Sequence, residues 1–203
     1  FTGHISDFYK RNSEVDLRLD ASNRMVDLFS EDFDFAIRYS ALPEDNLTSI
    51  KLFDDSVLPV CTPNFVAEYG LSPDTLVLAD APLIHLVDRT PDPDWVDWPR
   101  WADTFSVDLG DLPRGPTFSR FNSGLRAAVA GQGLVLCGIV EAFHAIEQGQ
   151  LVVPFGFERR CQASYRYWLV HVEGRHLSRV QRKFVAWIEK VAKAFQHDLD
   201  AWI

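Results

Sequence analysis

Cysteine is scarce in this sequence, and its three cysteines lie far apart. Cys61, Cys137 and Cys161 form no Cys-x-x-Cys pair and adjoin no histidine cluster, so the ligand spacing of a zinc site is absent and no metal is expected. A sparse, odd set of cysteines is typical of free thiols in a reducing compartment, which predicts a cytoplasmic protein. Cys137 lies within an apolar run, and it is a candidate redox residue only if its thiol is exposed and acidic.

Long apolar runs and basic charge are also in short supply. The longest apolar run, residues 133–140, is too short to span a bilayer, so no membrane association is expected. The chain has 20 Lys and Arg against 29 Asp and Glu, a formal net charge of -9. An acidic surface repels phosphate backbones, so this chain is not expected to bind nucleic acid by itself.

The motifs of several enzyme classes are missing. The sequence contains no G-x-S-x-G, H-E-x-x-H or Walker loop. The glycines of GQG, residues 131–133, follow a predicted helix, whereas a dinucleotide fingerprint opens a helix and uses its positive end. They therefore predict a turn into the next strand, and neither a cofactor nor an enzyme activity is expected.

The hydrophobic periodicity predicts an α/β protein. A helix to about Asn12 is followed by a strand at 15–21, a helix at 23–32 and a strand at 33–40. These last three elements predict a parallel βαβ unit. Further strands are expected at 55–62, 82–87, 133–136, 150–155 and 163–172, and further helices at 63–70, 122–130 and 138–149 and from Ser178 onwards.

Three of these helices carry recognisable end signals. Thr62 and Pro63 are typical of an N-cap and first helical residue, and Gly70 of a left-handed C-cap. Ser178 and Gln181 fit a capping box at the start of the last helix. In FSRFNSG, one polar side chain of 119–123 is expected to cap the helix, while another is free to contact a ligand.

Two further features have a structural and a functional interpretation. Trp95, Trp98 and Trp101 recur every three residues, and packing within their own lobe is favoured over stacking on a flat ligand. His85 lies at the end of a predicted strand, where a hydrogen-bonded structural role is favoured over ligand binding.

The order of several segments resembles the effector-binding domain of LysR-type transcription regulators over essentially the whole chain. The segments FDFAIRY, LPVCTP, AAVAGQGL and GQLVVPF are most similar to the glycine-cleavage-activator subgroup. The resemblance implies two Rossmann-like α/β lobes joined by two crossover strands, as in type 2 periplasmic binding proteins, with an effector in the cleft between them. Lobe one would comprise 1–61 and 162–203, and lobe two 62–161.

The resemblance also implies a set of effector-binding residues. Hydroxyl groups and helix N–H groups would bind a carboxylate, an arginine would pair with an anion, and the tyrosines would bound the pocket. Carried over by position, the set is Arg38, Tyr39, Ser40, His85, Ser119, Arg120, Phe121, Asn122, Ser123, Tyr165 and Tyr167.

The same resemblance implies the partners. A small-molecule effector is expected, together with a homodimer or homotetramer formed through the first helix, residues 15–21 and the helix around Leu125–Val129. DNA would be bound only by the family's N-terminal winged helix-turn-helix domain, which is expected to lie outside this chain, as is the first strand of lobe one. The alternative is a solute-binding protein of a transport system, which shares the fold.

Overall fold

The computed structural model describes residues 2–22, 24–78, 80–87, 92, 94–110 and 115–202, without the side chains of residues 2–4. Its helices are α1 Thr2–Arg11, α2 Pro63–Tyr69, α3 Trp98–Phe105, α4 Phe121–Val129, α5 Ile139–Glu147 and α6 Arg179–Asp200. Its strands are β1 Ala36–Ser40, β2 Leu47–Val60, β3 Leu83–Leu86, β4 Thr117–Phe118, β5 Leu134–Gly138 and β6 Cys161–Val172. Among these residues no helix combines the length and the apolar character needed to cross a bilayer.

The strands form a mixed sheet in the order β1-β6-β2-β5-β3-β4. β1 pairs with β6 antiparallel and β2 pairs with β5 antiparallel, whereas β3 runs parallel to both β5 and β4.

The chain divides into two compact units. Unit 1 runs to Asp54 and resumes from Tyr165 to Trp202, and unit 2 covers Asp55–Ser164. The unit boundaries therefore lie within β2 and β6, which differs from the expected positions 61/62 and 161/162 by several residues.

The core of unit 1 is built from aromatic side chains of α1 and α6. Phe8 is buried, with its ring centroid 5.4 Å from that of Phe184 and 5.2 Å from that of Trp187. The predicted capping box begins α6: the Ser178 hydroxyl accepts from the Gln181 backbone N–H, and the Gln181 side chain accepts from the Ser178 N–H. An amphipathic helix with a satisfied N-terminus can thus cover the unit 1 strands.

The core of unit 2 is centred on two tryptophans of α3. Trp101 is fully buried and its indole N–H donates to the Arg159 carbonyl at 2.9 Å, while Trp98 donates to the Ile84 carbonyl at 3.0 Å. The expectation that these tryptophans pack within their own lobe is confirmed. Asp97 caps α3, and Pro99 lies in its first turn, where a missing N–H breaks no helical bond, so α3 is regular.

The end signals of α2 are also confirmed. The Thr62 hydroxyl accepts from the Phe65 N–H at 3.2 Å, Pro63 begins the helix, and Gly70 ends it with φ of 61°. After α4, which ends at Val129, Gly131 and Gly133 have φ of 78° and 159° and lead directly into β5. GQG is therefore a turn after a helix, as predicted.

The prediction for residues 15–40 was wrong in two of its three elements. Residues 15–21 form no strand, and residues 24–32 contain turns instead of a helix. Of the large apolar side chains in this segment, Leu28 is buried, but Met25 and Phe29 are 70% and 63% exposed. Asp27 explains the turn, since its carboxylate accepts from the Phe29 N–H and the Ser30 hydroxyl, which competes with helical hydrogen bonds.

The parallel βαβ unit is consequently absent among the described residues. β1 pairs antiparallel with β6, with Ala36 opposite Val170 and Ser40 opposite Arg166. The predicted strand at 150–155 is reduced to one bridge between Cys61 and Val152. Alternating apolar and polar residues indicate which side chains would share a face of a strand. A strand also needs a hydrogen-bonded neighbouring strand, which only the tertiary structure supplies. Residues 88–91 and 93 of the acidic loop lie outside the described residues.

Candidate functional site

The candidate residues of unit 2 at 119–123 lie where β4 leads into α4. Arg120 is the N-cap residue, and no side chain of the described residues makes a capping hydrogen bond to this helix. The expectation that one of the polar side chains caps the helix was therefore wrong. The N–H groups of Ser123 and Gly124 bond to the Arg120 carbonyl, at 3.1 Å and 3.3 Å. The first amides of a helix have no intrahelical partner, and they carry its partial positive charge.

Most of the side chains around this helix start are open to solvent. Ser119, Arg120, Asn122 and Ser123 are exposed, and Phe121 is half-buried. An uncapped helix start with a guanidinium and two hydroxyls beside it can bind a carboxylate or another small anion. The structure thus brings these five candidates together on one short segment.

The candidate residues of unit 1 lie on two paired strands, β1 and β6. Tyr39 is directly opposite Tyr167, with ring centroids 4.8 Å apart, and it also contacts Tyr165 at 5.4 Å. The Tyr167 ring packs on Phe53, and Phe53 packs on Phe195 of α6. These tyrosines therefore form a continuous aromatic layer with the core of unit 1.

Arg38 and Ser40 already have protein partners. The Arg38 guanidinium donates to the Val26 carbonyl at 2.7 Å and forms an ion pair with Glu44. Its side chain is only 10% exposed. Ser40 donates its hydroxyl to the Leu42 carbonyl at 3.0 Å. These contacts give Arg38 a structural role, fixing residues 26 and 44, which sequence reasoning did not foresee.

His85 lies in a different environment. It is on β3, opposite Thr117 of β4, and it lines a cavity of about 490 Å³ together with Trp95, Val96 and Trp98. Its Nε2 atom is buried and has no hydrogen-bond partner among the described residues. Burial lowers the pKa of His85, so the imidazole is neutral at neutral pH. Within the described part of the chain, Nε2 therefore lacks the hydrogen bond expected for a structural role.

A buried carboxyl group in unit 2 was not foreseen. Asp55 is 3% exposed, and burial raises its pKa from 3.8 to about 7 despite hydrogen bonds from the Ser56 and Val140 N–H groups. Its Oδ2 atom and Oε2 of Glu141 both lie within 2.6 Å of the point that a Cβ on Gly138 would occupy. Nothing in the local sequence distinguishes Asp55 from the half-buried Asp54 beside it, so no sequence signal marks this group.

The cysteines lack the features of reactive thiols. Cys61 and Cys137 are fully buried, and all three cysteines are free. Burial raises the pKa of Cys61 to about 12 and that of Cys137 well above its ordinary value, and the nearby Glu141 and Asp55 raise the latter further. A thiol with a raised pKa is a poor nucleophile, which disfavours a redox role for Cys137. Among the described residues no group of three or more His, Cys, Asp or Glu could hold a metal ion.

The mixed sheet, its flanking helices and the division into two units define a class of protein. The fold is that of type 2 periplasmic-binding-protein-like domains, found in the effector-binding domains of LysR-type regulators. The effector domain of the regulator AmpR from Pseudomonas aeruginosa superimposes with a TM-score of 0.72 at 22% identity, covering 97% of this chain and 90% of that one. The regulatory domain of CrgA from Neisseria meningitidis also has a TM-score of 0.72, at 18% identity, covering 94% and 91%.

The sequence comparisons show the family. Residues 1–193 match the model of the LysR substrate binding domain, so the chain belongs to that family. The Escherichia coli regulator DsdC is 26% identical over 93% of this chain and 60% of its own length. The Escherichia coli glycine cleavage system transcriptional activator is 31% identical over 74% of this chain and 48% of its own length. The chain thus spans about half to three fifths of these relatives.

The expected family and fold class are therefore confirmed. The matched relatives are named as transcriptional regulators, which agrees with the expectation that this chain is not an enzyme. They do not favour the alternative of a solute-binding protein.

Proposed function

We propose that this chain is the effector-sensing part of a larger transcription regulator that binds DNA in the cytoplasm through a separate helix-turn-helix domain. The observation that carries this proposal is the family match over residues 1–193. The names of the relatives support it, because DsdC is an HTH-type transcriptional regulator and AmpR of Enterobacter cloacae an HTH-type transcriptional activator. The net charge of -9 supports a regulator in which the separate domain binds DNA and this chain does not itself contact DNA.

We infer that the effector carries a carboxylate or another small anionic group. The uncapped start of α4 offers free N–H groups, the exposed Arg120 offers a cation, and Ser119 and Ser123 offer hydroxyls. In unit 1 the positive charge of Arg38 is neutralised by Glu44, so Arg120 is the better candidate for an anion.

The effector would regulate by binding one conformation of the regulator more tightly than another. A ligand shifts a conformational equilibrium only by its difference in affinity for the two states. A preference of about 1.4 kcal/mol shifts that equilibrium tenfold.

Calorimetric titration of the full-length regulator tests the site. A thermal-shift screen of amino acids, muropeptides and small carboxylates supplies the ligand, and the variant combines Ser119→Ala with Ser123→Ala. Each hydroxyl contributes on the order of 1 kcal/mol, so affinity should fall about tenfold or more, with thermal stability changed by only a few degrees. Ser13→Ala, an exposed serine of unit 1, is the matched control and should bind normally.

Arg120→Gln separates charge from hydrogen bonding. It removes the cation from the exposed start of α4, so a carboxylate ligand should lose affinity while a neutral one does not. Unchanged affinity in both variants would contradict the assignment of residues 119–123 to the effector site.

A further inference from the structure

The chain contains four sulfur atoms, and one of them is largely open to solvent. The sequence has three cysteines and one methionine, and the structure describes all four residues. Cys61 and Cys137 are fully buried, and Cys161 is half-buried. Met25, by contrast, is 70% exposed. An oxidant in solution therefore reaches the Met25 thioether more readily than any of the three thiols.

The three thiols are also in a protonation state that resists oxidation. Peroxides react with the thiolate form of cysteine, so a thiol with a raised pKa reacts slowly. Burial raises the pKa of Cys61 to about 12, and it also raises the pKa values of Cys137 and Cys161. A thioether has no proton to lose, so its oxidation depends on access to the sulfur atom. Both exposure and protonation thus favour Met25 as the sulfur that reacts.

The segment that carries Met25 is held in place by its neighbours. The Val26 carbonyl accepts a hydrogen bond from the Arg38 guanidinium at 2.7 Å, and the Arg38 side chain is only 10% exposed. Leu28, three residues after Met25, is buried. These two contacts anchor the segment to unit 1, while the Met25 side chain itself remains outside the core. The fold therefore presents this sulfur atom to solvent.

Oxidation at Met25 changes an apolar part of the protein surface. Leu19 and Phe29, which lie in the same part of the chain, are also exposed. A thioether is apolar, whereas a sulfoxide is polar and its oxygen accepts hydrogen bonds from water. One added oxygen atom therefore makes the exposed surface of residues 15–32 more polar, and it removes no contact from the core.

We propose that Met25 is the oxidation site of this chain, at which a peroxide converts the exposed thioether to a sulfoxide and makes the surface polar. A sulfur lone pair attacks one peroxide oxygen and the O–O bond breaks. The second oxygen of hydrogen peroxide then takes the proton of the transferred hydroxyl and leaves as water. The sulfur loses two electrons, which the peroxide gains, and methionine sulfoxide reductases reverse the change. The proposal goes beyond the proposed effector sensing and does not depend on it, because residues 119–123 take no part.

Treatment of the native protein with hydrogen peroxide, followed by peptide mass spectrometry, tests the proposal. The peptide that contains Met25 should gain one oxygen atom, at a rate within about threefold of that of N-acetylmethionine amide, because the sulfur is open to solvent. The three cysteines, alkylated after unfolding, should still be free thiols. On hydrophobic-interaction chromatography the oxidised protein should elute earlier than the untreated protein. Met25→Leu, a substitution that conserves side-chain volume, should gain no oxygen and should elute unchanged after the same treatment.

A matched control moves the same thioether to a buried position. The double variant Met25→Leu, Leu28→Met places the methionine three residues away, where the native side chain is 3% exposed. Its oxidation should be at least about tenfold slower than that of wild type, because a buried sulfur reacts only when the segment opens. Oxidation of a cysteine before Met25, equal rates in wild type and the double variant, or an unchanged elution of the Met25 sulfoxide form would each overturn the proposal.

Discussion

Single residues in unit 2 link protonation to stability, and Asp55 is the clearest case. The folded protein releases the Asp55 proton at about pH 7, whereas an ordinary aspartate has a pKa of 3.8. The folded state therefore binds more protons than the unfolded state between these values, and stability falls as the pH rises from about 4 to 7. Above pH 7 the full penalty for a buried carboxylate remains.

Asp55→Asn should remove this penalty. Oδ1 of Asp55 accepts both the Ser56 and the Val140 N–H, and an asparagine oxygen can keep both bonds. Its NH₂ group would then lie beside Glu141. We expect the variant to be more stable than wild type by about 1–4 kcal/mol at pH 8, with the gain vanishing near pH 4.

Urea denaturation at pH 4, 6 and 8 measures this difference. The control is Asp54→Asn, because the Asp54 side chain is 40% exposed and forms ion pairs with Lys51 and Arg166, and its substitution should leave the pH dependence in place. If the free energies of unfolding of wild type and Asp55→Asn change in parallel with pH, the Asp55 carboxyl is not the source of the pH dependence.

At the scale of single residues, the sequence predicted where a residue lies in its strand better than it predicted the contacts of its side chain. Arg38 was expected among the effector-binding residues from the family resemblance, but the structure gives it two protein partners. One is Val26, in a segment that the sequence placed in a helix, and the other is Glu44. His85 was predicted at the end of a strand and is there, yet its cavity depends on Trp95 and Thr117, ten and 32 positions away in the sequence. Neighbourhoods of this kind depend on chain packing, which local patterns do not contain.

At the level of elements, one glycine before β4 sets how closely the chain can approach β3. Gly115 has φ of 131°, and a Cβ there would lie 2.2 Å from the Leu83 carbonyl oxygen. Gly70, the C-cap of α2, has φ of 61°, but a Cβ there would meet nothing within 4 Å. A side chain at Gly70 would therefore introduce backbone strain alone, whereas one at Gly115 would also introduce a steric clash.

Gly115→Ala should destabilise the protein far more than Gly70→Ala. We expect a cost of about 1 kcal/mol for Gly70→Ala, from left-handed strain alone. For Gly115→Ala we expect more than about 3 kcal/mol, because the clash is with backbone that cannot rotate away. Chemical denaturation measures both, and similar costs at the two positions would contradict the close approach of residue 115 to β3.

Elements with end signals were predicted well. The caps of α2 and α6 depend on residues within four positions of each other, so Thr62 with Phe65 and Ser178 with Gln181 are local chemistry. Residues 15–32 have no such caps, and their amphipathic pattern did not specify a structure. The pairing of β1 with β6 joins residues more than 120 positions apart, which no local pattern indicates.

At the level of the whole molecule, exposed apolar side chains in residues 15–32 support a role in self-association. Leu19, Met25 and Phe29 are 60%, 70% and 63% exposed. We propose that residues 15–21 and α1, together with Leu125–Val129 of α4, form the contacts of a homodimer or homotetramer. LysR-type regulators are typically oligomeric, which agrees with this proposal.

Leu19→Glu should weaken this association. A charge in an apolar interface is desolvated without a partner, so the dissociation constant should rise at least tenfold. Leu42→Glu is the matched control, because Leu42 is 74% exposed in the same unit but lies outside the proposed contacts. Sedimentation of both variants over a range of concentrations gives the result, and an unchanged oligomer in Leu19→Glu would contradict this interface.

The sequence by itself determined the class of this protein. Its periodicity and helix caps predicted an α/β fold, and the order of its segments resembled the LysR effector-binding family, because these features depend on neighbouring residues and their spacing. The tertiary structure alone decided which strands pair, that Asp55 is buried beside the half-buried Asp54, and that His85 faces a cavity. Those properties arise from contacts between distant segments, where burial changes the energy of a charge or an unpaired nitrogen in ways that local sequence does not encode.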